Sequence, residues 1–291
     1  MPGLEDCTLD TCPVEYSILG YRPSLAASIT FIVLHLLLLA VHFFLGLRLK
    51  AWWFASCMIL GCAANIVGYA ARILLYYDPF NFNSFLIQIV FVGSAPVFYT
   101  AAIYVTMART VEYFDASLSR IKPKLYYIIF IGCDILALVL QAAGGALSSI
   151  GDAPSGVGVD LALAGLVFQV VTMVVFSALL ADYLARYFMS RPGFVMDRQL
   201  KMFLGFLSFA IFLILARCAY RVAELSEGYN GDIFHDEPLF IGLEGVLIVI
   251  AVIALCIAHP GAMFNQELDR TKLTSKDGGE SGTELMVEPR V

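Results

Sequence analysis

Seven stretches of this chain are each long and apolar enough to cross a hydrocarbon core of about 30 Å, which takes roughly 20 helical residues. They run near Leu25–Leu47, Trp52–Tyr76, Ser84–Thr106, Leu125–Leu147, Val159–Leu184, Met202–Glu224 and Leu239–Ala258. The apolar runs are continuous rather than alternating, which favours helices over a transmembrane barrel, and a helix satisfies its own backbone groups inside lipid. Composition agrees, since 60% of the residues are hydrophobic and only 14% charged, unlike a soluble domain of this length. The expected fold is an all-α integral membrane bundle of seven transmembrane helices.

Orientation follows from Lys and Arg. Arg48 and Lys50 fall in the first connection, Arg109, Arg120, Lys122 and Lys124 in the third, Arg186, Arg191, Arg198 and Lys201 in the fifth, and Arg270, Lys272, Lys276 and Arg290 in the tail. The positive-inside rule makes these segments cytoplasmic, with the N-terminus outside and the C-terminus cytoplasmic. Three regions result: an extracytoplasmic N-terminal segment over 1–23, the seven-helix domain over 24–261, and a polar, glycine-rich tail over 262–291 that is expected to be disordered. The first twenty residues hold Glu5, Asp6, Asp10 and Glu15 and no apolar core, so no cleavable signal peptide is expected and the first helix serves as its own insertion signal. The net charge of −6 arises mostly from the outer loops and the tail, which offers no basic patch and no nucleic-acid partner. No internal repeat supports an inverted-repeat architecture.

Polar residues inside the spans carry the functional argument. Arg217, Arg221 and Glu224 lie at i, i+4 and i+7 on one face of the sixth span, as Asn65, Tyr69 and Arg72 do in the second. Asp134 and Gln141 are seven apart in the fourth, and Glu237 and Glu244 are seven apart at the start of the seventh. Gln88 shares a stripe with Ala95 and Tyr99 in the third, the fifth contributes Gln169, and the first contributes His35 and His42. A charge at the bilayer centre costs about 2.5–3.5 kcal/mol on insertion scales, so such residues face a cavity or a partner. The expectation is a polar cavity open to the outer side, narrowing inward, with Asp134 at its floor. The competing reading makes Arg72, Arg217, Arg221, Glu224 and Glu244 a structural ion-pair network. Pro96, inside the third span, frees a backbone carbonyl toward the enclosed space. Gly61, Gly68, Gly144, Gly145, Gly242 and Gly245 are expected at close helix contacts.

Other chemistries find less support. His35, His42 and His259 lack neighbouring carboxylates at ligand spacing, so no metal site is expected, and neither a nucleophile elbow nor a phosphate-binding loop is present. No cofactor and no enzymatic activity are expected. Cys57, Cys62, Cys133, Cys218 and Cys256 read as small buried apolar residues. Cys7 and Cys12, on the side taken as oxidising, are either a short disulfide loop or two free thiols.

Together these residues resemble a known family. Tyr21-Arg-Pro-Ser24, Gly68-Tyr69-Ala-Ala-Arg72, Gln88 followed by Ala95-Pro96 and Tyr104, and Asp134 with Gln141 and Gly144-Gly145 are similar to the fungal RTA-like, or lipid-translocating exporter, family. The resemblance continues through Arg217 with Tyr220-Arg221 and Glu224, Gly228 before Glu237, and His259-Pro260-Gly261, in order through all seven spans. Two positions depart from the pattern: Asn65 stands where the family commonly has Glu, and Glu244 where it commonly has Asp. The resemblance implies a plasma-membrane protein linked to movement of, or resistance to, amphipathic molecules such as sphingoid long-chain bases. Membrane lipids and an amphipathic small molecule are thus the expected partners; nothing names a protein partner.

Two function classes follow. A translocator without its own ATPase would pair the cationic head of a long-chain base with an intramembrane acid, Glu244 or Asp134, among Asn65, Tyr69, Arg72, Gln88, Gln141, Gln169, Arg217, Arg221 and Glu224 along the pathway. A seven-helix receptor or sensor is the alternative; it needs only a population shift on binding, whereas a translocator needs net flux.

Overall fold

The computed structural model describes residues 9, 11–149, 156–191, 197–228, 231 and 233–263. Among them are seven helices long and apolar enough to cross a membrane: α1 (Leu25–Leu49), α2 (Trp52–Tyr77), α3 (Phe82–Phe114), α4 (Pro123–Ser149), α5 (Val157–Ser190), α6 (Arg198–Ser226) and α7 (Glu237–Met263). No strand occurs among the described residues. The chain is therefore an all-helical integral membrane protein, as the apolar runs predict.

Every helix outlasts the stretch read from hydropathy, α3 most of all, continuing from Thr106 to Phe114. Apolar character marks where the hydrocarbon ends, while the helix continues as long as its backbone bonds can form. Side-chain caps set several starts. Ser24 Oγ accepts from the Ala27 N–H at 3.3 Å, Asn81 Oδ1 from Ser84 at 3.1 Å and Asp236 Oδ1 from Leu239 at 3.2 Å, each satisfying an amide that has no helical partner.

Successive helices pack side by side and α7 returns against α1, closing the bundle. Within it, α1 and α4 leave the largest share of their surface facing outward, with Leu37, Phe44, Ile128 and Val139 exposed to what would be lipid. The core is supplied mainly by α2, α3, α6 and α7, around Met58, Tyr99, Met107, Ile214 and Leu255.

Small residues bring some helices together. Gly144 meets the α5 backbone at Gly158 and Ala162, Gly61 the Tyr99 ring, Gly68 Val92, and Gly245 the Phe31 ring. Gly145 and Gly242 correct the expectation, because a β-carbon at either would meet open space. The seventh helix is not uniform. After a first turn at Glu237–Leu239 it runs as a π-helix over Phe240–Val246 and becomes α-helical over Leu247–Ile257. The wider turn carries Glu244 into the bundle, and π-turns inside α-helices recur at functional sites.

The tail expected over 262–291 falls almost entirely outside the described residues. Cys7 also lies outside them; Cys12 is disulfide-bonded.

Candidate functional site

The site is built around a proline. Pro96 has no N–H to give the carbonyl of Val92, one turn earlier in α3. That oxygen is taken instead by Arg217 of α6, whose Nη2 donates to it at 3.1 Å. The same nitrogen is paired with Glu244 Oε1 on the π-helical turn of α7. Both side chains are fully buried. A charge so placed is sustained only by an opposite charge and hydrogen bonds, and here a freed carbonyl and a carboxylate supply both.

Two more ion pairs lie toward the end of the bundle where α1 begins. Arg221 pairs with Glu224 along α6. Arg72, brought in by α2, donates to Glu237 at 3.1 Å and to the Tyr21 hydroxyl at 2.9 Å, and its guanidinium carbon sits 4.0 Å from the centre of the Phe240 ring. Glu237 also accepts the Ser24 N–H at 2.6 Å, tying the start of α1 to the start of α7. Burial holds the Tyr21 phenol above its ordinary range against the pull of Arg72, so it accepts that bond as a neutral hydroxyl. Three guanidinium groups thus meet three carboxylates.

Tyr69 is fully buried among these charges, stacked on Phe31 at 4.9 Å. Gln88, one turn before Val92, is buried with them, and its Oε1 has no partner; the same holds for Glu244 Oε2, Arg72 Nη1 and Arg217 Nε. Tyr21, Arg72, Gln88, Arg221, Glu224 and Glu244 surround a cavity of about 10 Å³, room for the centre of about one water-sized group.

A lid covers this cavity. Leu19 and Phe234 are buried against Phe85 and Leu75, and the His235 ring meets the Leu19 carbonyl through Nδ1 at 2.6 Å. Gly20 makes the arrangement feasible: its φ of +70° is in the left-handed region, and a β-carbon there would lie 2.7 Å from His235 Nδ1. The structure accordingly corrects the expectation of a cavity with Asp134 at its floor. The polar space is small and partly covered, and Asp134 does not line it.

Asp134 belongs to a different setting. Its Oδ2 accepts from Thr100 Oγ1 at 2.8 Å, linking α4 to α3, while Oδ1 has no partner. Gln141 and Gln169 form a third group, with Gln141 Nε2 donating to Gln169 Oε1 at 3.0 Å between α4 and α5. Asn65 also lies apart, donating through Nδ2 to the Tyr99 hydroxyl at 3.0 Å. Of the pathway residues read from the sequence, the structure therefore gathers Tyr69, Arg72, Gln88, Arg217, Arg221, Glu224 and Glu244, and separates Asn65, Asp134, Gln141 and Gln169 from them.

The histidines serve local contacts. His35 Nδ1 meets the Phe31 carbonyl at 2.8 Å, His42 Nε2 meets Cys256 Sγ at 3.1 Å, and His259 Nδ1 accepts the Gly261 N–H at 3.1 Å. Among the described residues no group of three or more His, Cys, Asp or Glu side chains is placed to hold a metal.

The carbonyl that Pro96 was expected to free is that of Val92, and its partner is Arg217. Tyr21 and Glu237, quoted in the sequence for their place in a motif and for spacing, were not expected at the site, and Thr100 was not singled out at all. A neutral tyrosine ahead of the first span and a threonine inside the third carry no signal of cost that would mark them as site residues.

Comparison with known proteins identifies the family. Residues 58–267 match the family model described as RTA1 like protein. The chain is 29% identical to a protein of Saccharomyces cerevisiae named sphingoid long-chain base transporter RSB1, over 84% of this chain and 74% of that one. It is 32% identical to Protein RTA1 of the same species, over 69% of this chain and 64% of that one, and 29% identical to Protein RTM1, over 69% and 65%. No solved structure matches. The family model spans well over half of the chain, and this seven-helix protein belongs to the RTA1-like family.

Proposed function

We propose that the protein translocates single-chain amphipathic lipids with a cationic amino-alcohol head, the chemistry of sphingoid long-chain bases, and that it does so without an ATPase of its own. The observation that carries this reading is the set of open hydrogen-bonding atoms around the small polar cavity. Glu244 Oε2 and Gln88 Oε1 are acceptors without partners, and the cavity has room for a group the size of an ammonium. An ammonium brings three N–H donors and a positive charge, which suits a carboxylate and an amide oxygen. Arg72 Nη1, a donor without a partner, suits a hydroxyl of the same head.

The name of the yeast relative supports the same substrate class. In this reading the lidded arrangement is one state of a cycle, and the lid or one of the ion pairs moves to admit the head. The N-terminus and the lid lie outside, the C-terminus lies in the cytoplasm, and the membrane is the plasma membrane.

The test is transbilayer flux of a labelled long-chain base in proteoliposomes containing this protein alone. Wild type is expected to exceed empty vesicles, with flux falling in Gln88→Leu and in Glu244→Gln. An Arg217→Gln, Glu244→Gln double variant controls for folding, because it removes both members of the buried pair. Absence of flux in wild type with saturable binding of the base would replace translocation by sensing; absence of both would remove the substrate class.

A further inference from the structure

Beside the small polar cavity lies a second, larger space. Between the first half of α3 and the second half of α4, with α5 and α6 behind, lies a fissure of about 340 Å³, within the range of small-molecule sites. Its walls are mostly apolar, formed by residues such as Leu86, Ile89 and Val90 of α3, Leu138 and Ala142 of α4, and Leu166 of α5, with Ser94, Gln141, Ser148 and Arg221 as the polar exceptions. Two glycines leave it empty. Gly93 and Gly145 face each other's helices across it, and a β-carbon on either would meet nothing within 4 Å. In membrane helices small residues normally let backbones approach. Gly144 does that against α5, while its neighbour Gly145 and Gly93 border vacant space.

The fissure has a closed end. There Tyr104 packs on Phe130 with ring centres 5.4 Å apart, and Thr100 bonds Asp134, joining α3 to α4 just beyond Gly93 and Leu138. At its other end the fissure adjoins the polar cavity: Phe85, Ile89 and Arg221 line both spaces. An apolar opening at membrane depth is filled by hydrocarbon, since water there would have few partners.

We propose that this fissure holds the single alkyl chain of the same amphiphile whose head the carboxylate cluster receives, and that the Arg221–Glu224 pair is the partition between chain and head. The proposal rests on the translocator reading for the identity of the amphiphile. An ammonium arriving from the fissure side meets Arg221 first and competes with it for Glu224. The chain then stays in an apolar channel while the head exchanges one cation for another, and no carboxylate is left uncompensated.

The experiment is photolabelling in proteoliposomes with a long-chain base bearing a diazirine in the middle of its chain, followed by peptide mapping. Label is expected on 82–94 of α3 and 138–148 of α4, and is expected to fall about tenfold in Gly93→Leu and Gly145→Leu, the effect of overpacking a site by one side chain. Both variants add a better helix former facing open space, so their thermal stability should hold. Gly93→Ala gives a milder step should leucine perturb folding, and is expected to lower label less. Label spread evenly over the outward faces of α1 and α4, or equal fissure labelling by a diazirine phosphatidylcholine with no competition from the base, would overturn the chain site. If wild type shows no flux yet the fissure label is specific and lost in the glycine variants, the chain site stands and translocation falls. If Glu244→Gln lowers flux while label is unspecific, translocation stands and the chain site falls.

Discussion

Two of the carboxylates buried in this bundle, Glu244 and Asp134, have surroundings that could hardly differ more. Glu244 faces Arg217, which is held in turn by a carbonyl freed by Pro96. Asp134 has no ion pair; Thr100 donates a hydrogen bond to it, with the Tyr104 hydroxyl close by. The first acid is part of a balanced set of charges that also includes Arg72, Arg221, Glu224 and Glu237. The second links two helices at the closed end of a fissure. A shared carboxylate and similar burial thus conceal two settings: one acid sits in a network of opposite charges, and the other in a neutral hydrogen bond between two helices.

The comparison is broken most severely by removing one member of the charged pair. Glu244→Ala leaves the Arg217 guanidinium buried without a counter-charge, so stability should fall by about 3–5 kcal/mol. Thermal unfolding in a fixed detergent checks this. Replacing both partners by apolar residues of similar size, Arg217→Met with Glu244→Leu, should recover most of that loss, because neither charge then needs compensation. Flux should not recover. A double variant as unstable as Glu244→Ala alone would show that packing around the π-turn, rather than charge balance, carries the stability.

Next in size is Arg72. Its partner Glu237 is partly exposed, so water can take over part of the solvation when the guanidinium is removed. Arg72→Met should cost about 1–3 kcal/mol, and Tyr21→Phe, which removes only one acceptor, about 1 kcal/mol. Both should loosen the lid that Leu19 and Phe234 form, since Tyr21 follows Leu19 and Gly20 directly. Hydrogen exchange over residues 17–24 is the readout. Faster exchange in Arg72→Met with no change over α4 would localise the effect to the lidded end.

How much of this was legible beforehand depends on whether a residue announces a cost. Seven apolar runs dictate seven helices, because nothing else of that length and composition survives in lipid. Arg217, Arg221, Glu224 and Arg72 announced themselves as charges in those runs, and Pro96 announced an orphaned carbonyl. What no local pattern contains is the register between helices. That Arg217 meets Glu244 rather than Asp134 follows from how α6 packs on α7, and from the extra residue of the π-turn that aims Glu244 inward. The lid was hidden for a related reason: Leu19 lies in the segment before the first helix and Phe234 in the last connection, neither with periodicity, and Gly20 shows its purpose only when His235 lies against it. Gly145 was misread because a glycine beside open space and a glycine beside a backbone look alike in a sequence.

The smallest expected effect tests the comparison most sharply. Asp134→Asn keeps a side-chain oxygen for the Thr100 hydroxyl and removes a charge that no cation answers, so stability should change by less than about 1 kcal/mol in either direction. Thr100→Val removes the donor and should cost about 0.6 kcal/mol, the typical size of an interhelical hydrogen bond in a membrane bundle. The two changes act on one bond, so the cycle joining them should show coupling rather than additivity. The contrast with Glu244 is what matters: asparagine at 134 should leave both folding and head-group binding close to wild type, while glutamine at 244 weakens both. If Asp134→Asn instead abolishes binding of the base with the fold intact, the head is received at the closed end of the fissure, and the charge cluster around Glu244 becomes the structural network.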